Sequence, residues 1–244
     1  MQSGFSFSLT GLTMLLGITA AAITVNAELF RDKPLTASAT REIVRQEIKL
    51  AIQDADRHYP RVVLAAAFTE SRDDKFNIEF FEQIEALVSF ENAEQSIEDD
   101  YRRSKIAFAA FRFVERLRDR NLPEGVHVHA EFHGGADARG GAGIVGRYDG
   151  SHGDPIRIER PILYHPLFGE TPSLSRTYRK GAQITNEDLA LIRAYAMYIG
   201  FMEHIAGKGW VDSMGFRGST SNAIGERFRF GLIRISLTAG GVSS

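Results

Sequence analysis

The chain has 244 residues, a hydrophobic fraction of 43%, a charged fraction of 25% and a net charge of −2. That composition excludes a largely disordered protein, and the near-neutral balance gives no general attraction to a polyanion such as DNA. The absence of cysteine excludes disulfide staples, thiolate-ligated zinc and thiol catalysis.

From Phe5 to Val25 no residue is charged, and the run includes LTMLLGITAAAITV. A helix needs about 20 apolar residues to cross a bilayer, so residues 1–27 are expected to be a transmembrane anchor. A cleaved signal peptide is the rival reading, because Val25-Asn26-Ala27 offers the small residues of a cleavage site. The n-region lacks Lys and Arg, which weakens that reading. Arg31 and Lys33 follow the segment with nothing basic before it, and that asymmetry alone favours a cytoplasmic C-terminal part.

Residues 28–83 read as a linker followed by a helix and a strand. Thr40 is expected to cap a helix to about Arg57, with Val44, Ile48, Ala51, Ile52 and Ala55 on one face. Arg61–Phe68 reads as a buried strand and residues 70–75 as a charged turn. From about Glu85 the pattern becomes β-α-β-(insert)-α-β-β. Ala86, Val88 and Phe90 suggest the first strand. A helix over roughly 94–119 carries Ile106, Ala109, Ala110, Phe113, Val114 and Leu117 as its apolar stripe. In Val126–His133, Val128, Ala130 and Phe132 point one way, while His127, His129, Glu131 and His133 point to a face expected to be wet. Residues 138–185 are rich in Gly, Pro and Tyr and read as an insertion of hairpins and loops. Its Tyr148, Tyr164, Phe168 and Tyr178 suit either a protein-binding surface or the insert's own core. Asn186 to about Ile205 is a second amphipathic helix, ended by Gly207 and Gly209. Arg227–Leu237 is a closing strand pair or one strand bent at Gly231, and residues 239–244 form a tail.

Three segments within residues 84–238 carry a family resemblance, and a fourth agrees with it. Ala130-Glu131-Phe132-His133-Gly134-Gly135-Ala136-Asp137 and Asn186-Glu187-Asp188-Leu189-Ala190-Leu191-Ile192-Arg193-Ala194 resemble the strand end and following helix of the OmpA-like family. Phe90-Glu91-Asn92-Ala93-Glu94 resembles its first strand-to-helix turn, and Arg227 and Arg229 its Arg-rich closing strand. Ala136 stands where the family has Thr, and Ala190 where it has Ser. The 48 residues from 138 to 185 replace a short turn.

The resemblance implies an α+β, β-α-β-α-β sandwich, with helices packed on one face of a mixed sheet, an insertion, and one hydrophobic helix ahead of it. It also implies a non-catalytic envelope protein that binds peptidoglycan, without a cofactor. Asp137 would take the ammonium of the stem-peptide diamino acid and Arg193 its carboxylate, because a zwitterionic head group calls for one anion and one fixed cation. Asn186 belongs to the same motif and suits a helix cap. The expected partners are peptidoglycan, the membrane, and other envelope-complex subunits or a second copy. The expected location is the periplasmic side of the inner membrane, or the periplasm after signal cleavage.

Three rivals differ in class. One is a fold-conserving scaffold or assembly subunit of a secretion or motor-like machine. Another is a MotB-like stator, disfavoured because residues 5–25 hold no Asp or Glu to carry a proton. The third is a metal hydrolase using His127, His129 and His133, although one strand cannot supply a converging ligand set. GGADARGGAG lacks a P-loop lysine, and Trp210 with the C-terminal arginines forms no basic patch, so neither nucleotide nor nucleic acid is expected.

Overall fold

The structure, a computed structural model, describes residues 37–60, 64–70, 75–82, 100–120, 126–138, 143–225 and 228–239. The expected hydrophobic segment at 5–25 and the expected strand at 86–90 lie outside these residues. No helix among the described residues is long and apolar enough to cross a membrane. The chain divides into a unit ending at Arg41 and a unit from Glu42 onward, and the architecture that follows belongs to the second.

Among the described residues, three helices, α1 (Ala37–His58), α2 (Asp100–Asp119) and α3 (Asn186–Ile205), accompany eleven strands. The strands are β1 (Leu64–Glu70), β2 (Lys75–Glu82), β3 (Val126–Ala136), β4 (Gly146–Arg147), β5 (Ile156–Ile158), β6 (Ile162–His165), β7 (Gly169–Pro172), β8 (Arg176–Tyr178), β9 (Gln183–Ile184), β10 (Ser213–Thr220) and β11 (Gly231–Ala239). Seven form one mixed sheet in the order β1-β2-β11-β3-β10-β6-β7. β3, β10 and β6 run parallel, and the remaining pairs are antiparallel. The class is therefore α+β, as expected.

The α2 stripe reads true: Ile106, Ala109, Ala110, Phe113, Val114 and Leu117 are all fully buried. They join Val44, Ala51 and Ala55 of α1 and the alternate residues Val128, Ala130, Phe132, Ile233, Ile235 and Leu237 of the sheet in one cluster. The α1–α2 seam is clamped by charge. Asp54 accepts from Arg112 Nε at 3.0 Å and Arg116 Nη2 at 2.7 Å, and buried Glu47 pairs with Arg120 at 2.8 Å. Thr40 lies inside α1, which begins four residues earlier than a cap there would allow.

Two expectations are corrected. The closing segment, expected as a strand pair or one strand bent at Gly231, is a single strand that begins at Gly231, and the sheet gains a strand, β10, that was not expected at Ser213–Thr220. Ser-Met-Gly-Phe-Arg-Gly-Ser-Thr looks like turn sequence, yet it is central in the sheet. At Gly218 a β-carbon would sit 3.0 Å from Leu191 Cδ2 and 3.1 Å from Leu163 Cδ2, so the glycine admits close helix packing. The second correction concerns the far face of β3. Glu131 is only 7% exposed, held by Arg217 Nε at 3.0 Å and Arg234 Nη1 at 3.0 Å, with Arg217 also paired to Glu170. That face is open to water at His127, as expected, but becomes an ion-pair network at Glu131.

The insertion is built from hairpins, β4 with β9, β5 with β8, and β6 with β7. Its core holds Tyr148, Ile156, Ile158, Leu163, Tyr178 and Ile184 packed on Leu189, Leu191 and Ile192 of α3. So α3 is buried on two sides, by the main core and by the insert. Tyr148 and Tyr178 serve the insert's core, whereas Tyr164 is 41% and Phe168 75% exposed.

Candidate functional site

The site residues expected from the sequence gather where the parallel strands end. β3 passes so close to α3 that a β-carbon on Gly134 would lie 2.1 Å from the Ala190 carbonyl oxygen and 2.6 Å from Ala194 N. Only glycine fits. One residue further on, Gly135 lies under Phe230 and Phe228. These two contacts lock the strand end between α3 and the approach to β11.

Arg193 projects from α3 into this junction and is fully buried. Its Nη1 donates to the Gly135 carbonyl at 2.7 Å. A buried guanidinium is costly unless it is well bonded, and its bond to a strand carbonyl fixes α3 against β3. The expected fork toward a ligand carboxylate is thus turned, in this state, onto the backbone.

Asp137 follows β3 directly and is 4% exposed. Its Oδ2 accepts from Gly225 N at 3.2 Å and lies 3.5 Å from Arg229 Nε, itself 5% exposed. The loop of residues 221–225 is stitched over the same end, with Ser221 N donating to Ala136 O at 3.0 Å and Ala138 N to Ala223 O at 3.1 Å. Asp137 and Arg193, far apart in the chain, therefore act within two residues of one strand terminus.

Asn186 is the first residue of α3 and is nearly buried. It is not the cap: Thr185 is, accepting from Asp188 N, while the Asp188 carboxylate returns to the Thr185 backbone N–H at 2.9 Å. Asp188 also takes bonds from Arg176 at 2.7 Å and Tyr178 at 2.9 Å. Burial works to raise the Asp188 carboxyl, and the bonds from Thr185, Arg176 and Tyr178 outweigh it, leaving it below the usual carboxylate range.

Beside these residues opens a cleft of about 430 Å³, lined by Ala138, His165, Thr185, Asn186, Glu187, Thr220, Ser221 and Asn222. It lies at the carboxyl ends of the parallel strands β10 and β6 and at the N-terminus of α3, where open sheets place ligands and where backbone N–H groups favour anionic groups. Its residues come from four separate stretches of sequence, so no single motif could have announced it. Arg229 was legible only as part of a closing strand, without its role as the partner of Asp137. Arg227 lies outside the described residues.

The three histidines do not converge. His129 Nδ1 meets Ser213 Oγ at 2.8 Å, His133 Nε2 meets Ser219 Oγ at 2.7 Å, and His127 lies 3.9 Å from Asp212. Among the described residues no group of three His, Asp or Glu side chains is placed to hold a metal ion. Burial, with Arg217 and Arg234 nearby, pushes His133 down to about 3, so it is a neutral member of the sheet.

Comparison with known protein families and with curated proteins finds no match for this sequence.

Proposed function

We propose that the chain is a non-catalytic cell-envelope protein of OmpA-like fold. It binds peptidoglycan through the stem-peptide diamino acid and tethers a membrane complex to the wall through its N-terminal hydrophobic segment. The observation that carries this reading is that Arg193 and Asp137 both engage the end of β3, one at the Gly135 carbonyl and one just past Ala136, next to the cleft that Ala138 and Asn186 line. The order of elements among the described residues adds support: a helix and the long strand β3 precede the insertion, and a helix and two strands follow it.

Chemically, a ligand ammonium would share the Asp137 carboxylate with Arg229, and a ligand carboxylate would meet the N-terminus of α3 at Asn186. Arg193 would act from beneath, as the buried cation that holds the strand end in place. Three charge-assisted bonds, each near the upper end of about 1.5–3 kcal/mol, reach micromolar attachment. No step of bond making or breaking is required.

The full burial of Arg193 and the pairing of Asp137 with Arg229 favour a second reading, a scaffold of the same fold that has no wall ligand. Co-sedimentation of the full chain with purified sacculi decides between them. Peptidoglycan binding requires that the chain pellets and that free stem-peptide diamino acid, but not a monoamino acid, releases it. Asp137→Ala should abolish pelleting while circular dichroism confirms the fold. A wild-type chain that stays in the supernatant would leave the scaffold reading.

A further inference from the structure

The hairpin of β6 and β7 brings to the cleft a feature that the diamino-acid clamp does not use. At its turn Phe168 is 75% exposed, and its ring stacks on His165, a cleft-lining residue, at 4.9 Å between centroids and 29° between planes. A lone exposed phenylalanine is commonplace. This one is held against His165, at the edge of the cleft, by a tight turn, in which Phe168 N donates to His165 O at 3.1 Å and Leu167 N to His165 Nδ1 at 3.2 Å. Because Nδ1 accepts a backbone proton, neutral His165 carries its own proton on Nε2 and remains a donor.

Apart from His165 and Glu187 the cleft is lined by uncharged residues, Ala138, Thr185, Asn186, Thr220, Ser221 and Asn222, whose hydroxyls and amides lie among apolar surface. Its one carboxylate, Glu187, is engaged by Arg176 at 2.9 Å. An apolar ring face next to neutral hydroxyls and amides matches a pyranose, whose C–H face stacks on an aromatic ring while its hydroxyl and acetamido groups seek hydrogen bonds. A cavity of about 430 Å³ is within the range of small-ligand sites.

The geometry points to a glycan subsite, contributed by the insertion, in which Phe168 and His165 form the stacking platform and Asn222 and Thr220 bind the polar edge of an amino sugar. The inference rests on the peptidoglycan reading for the source of its sugar. It makes the insertion a means of engaging the glycan strand together with the stem peptide.

The test is titration of the full chain with three probes: a stem peptide, the same peptide carrying its amino-sugar disaccharide, and the disaccharide alone. The disaccharide-peptide should bind about tenfold more tightly than the peptide. Phe168→Ala should remove that gain. Leu174→Ala should keep it, since Leu174 is equally exposed (87%) but lies past the opposite end of β7. Equal affinity for peptide and disaccharide-peptide, or a gain that survives Phe168→Ala, overturns the inference. So does a Phe168→Ala chain that keeps the gain but releases anionic phospholipid vesicles, which would make the hairpin a lipid contact. If the wild type ignores the stem peptide, the peptidoglycan clamp fails. The free disaccharide then decides the subsite alone: binding that depends on Phe168 supports it, and no binding removes it.

Discussion

Arg193 and Gly135 are joined by a 2.7 Å hydrogen bond from guanidinium to carbonyl in the fully buried seam between α3 and β3. This bond couples the helix that carries one expected ligand group to the strand that ends at the other. It makes Arg193 a positioning residue as the structure stands.

Removing that side chain should cost stability as well as binding. Arg193→Ala leaves a cavity and an unsatisfied carbonyl, with an expected loss of about 3 kcal/mol. Urea denaturation checks it. A loss below about 1 kcal/mol would mean that water or a neighbour replaces the guanidinium without penalty.

Gly134→Ala should be more disruptive than an ordinary core glycine change. The new methyl would meet backbone atoms, Ala190 O and Ala194 N, so only a shift of α3 from β3 can relieve it. The expected cost is about 3 kcal/mol, read as a lower denaturation midpoint. Gly207→Ala, where a β-carbon meets nothing within 4 Å but φ is +75°, should cost only about 1 kcal/mol.

The α3 start makes a graded prediction. Thr185→Ala removes one half of a reciprocal cap and should cost about 1 kcal/mol. Asp188→Ala also strands Arg176 and Tyr178 and should cost about 2 kcal/mol. Because the Asp188 carboxyl is held low, its contribution is present at neutral pH and disappears as pH falls through its folded value. The Asp188→Ala chain should therefore show a flatter acid limb.

His133 works in the same direction for a different reason. Its folded value of about 3 is below the ordinary 6.5, so the unfolded chain binds the extra proton between those limits. Stability is complete above about pH 6.5 and declines as pH drops toward 3. His133→Gln should lessen that decline by up to one proton in the denaturation midpoint against pH. An unchanged slope would show that His133 is already protonated in the folded protein.

How far the sequence could be read depended on where periodicity and chemistry agreed. The α2 stripe and the α3 boundaries were legible because apolar residues recur at helical spacing and Gly207 follows the last turn. β3 was legible from strict alternation, but alternation says only that two faces differ. It could not reveal that Arg217 and Arg234, from other strands, would close over Glu131. β10 was illegible because its glycines serve tertiary contacts, Gly215 against His129 of β3 and Gly218 against Leu191 of α3 and Leu163 of β6, that exist only in the folded chain. The partnership of Asp137 with Arg229 depends on contacts far apart in sequence, which no local pattern records.

The insertion is more than a surface ornament. β6 hydrogen-bonds to β10 along its length and carries β7 as the last strand of the main sheet. Excising residues 138–185 would strip β10 of one neighbour and leave a row of open backbone donors and acceptors, the kind of border that recruits a stray strand from another molecule. It would also bare the side of α3 that holds Leu189, Leu191 and Ile192. A shortened chain rebuilt with a tight turn would therefore be expected to self-associate, and the segment is best regarded as native masonry of the sheet.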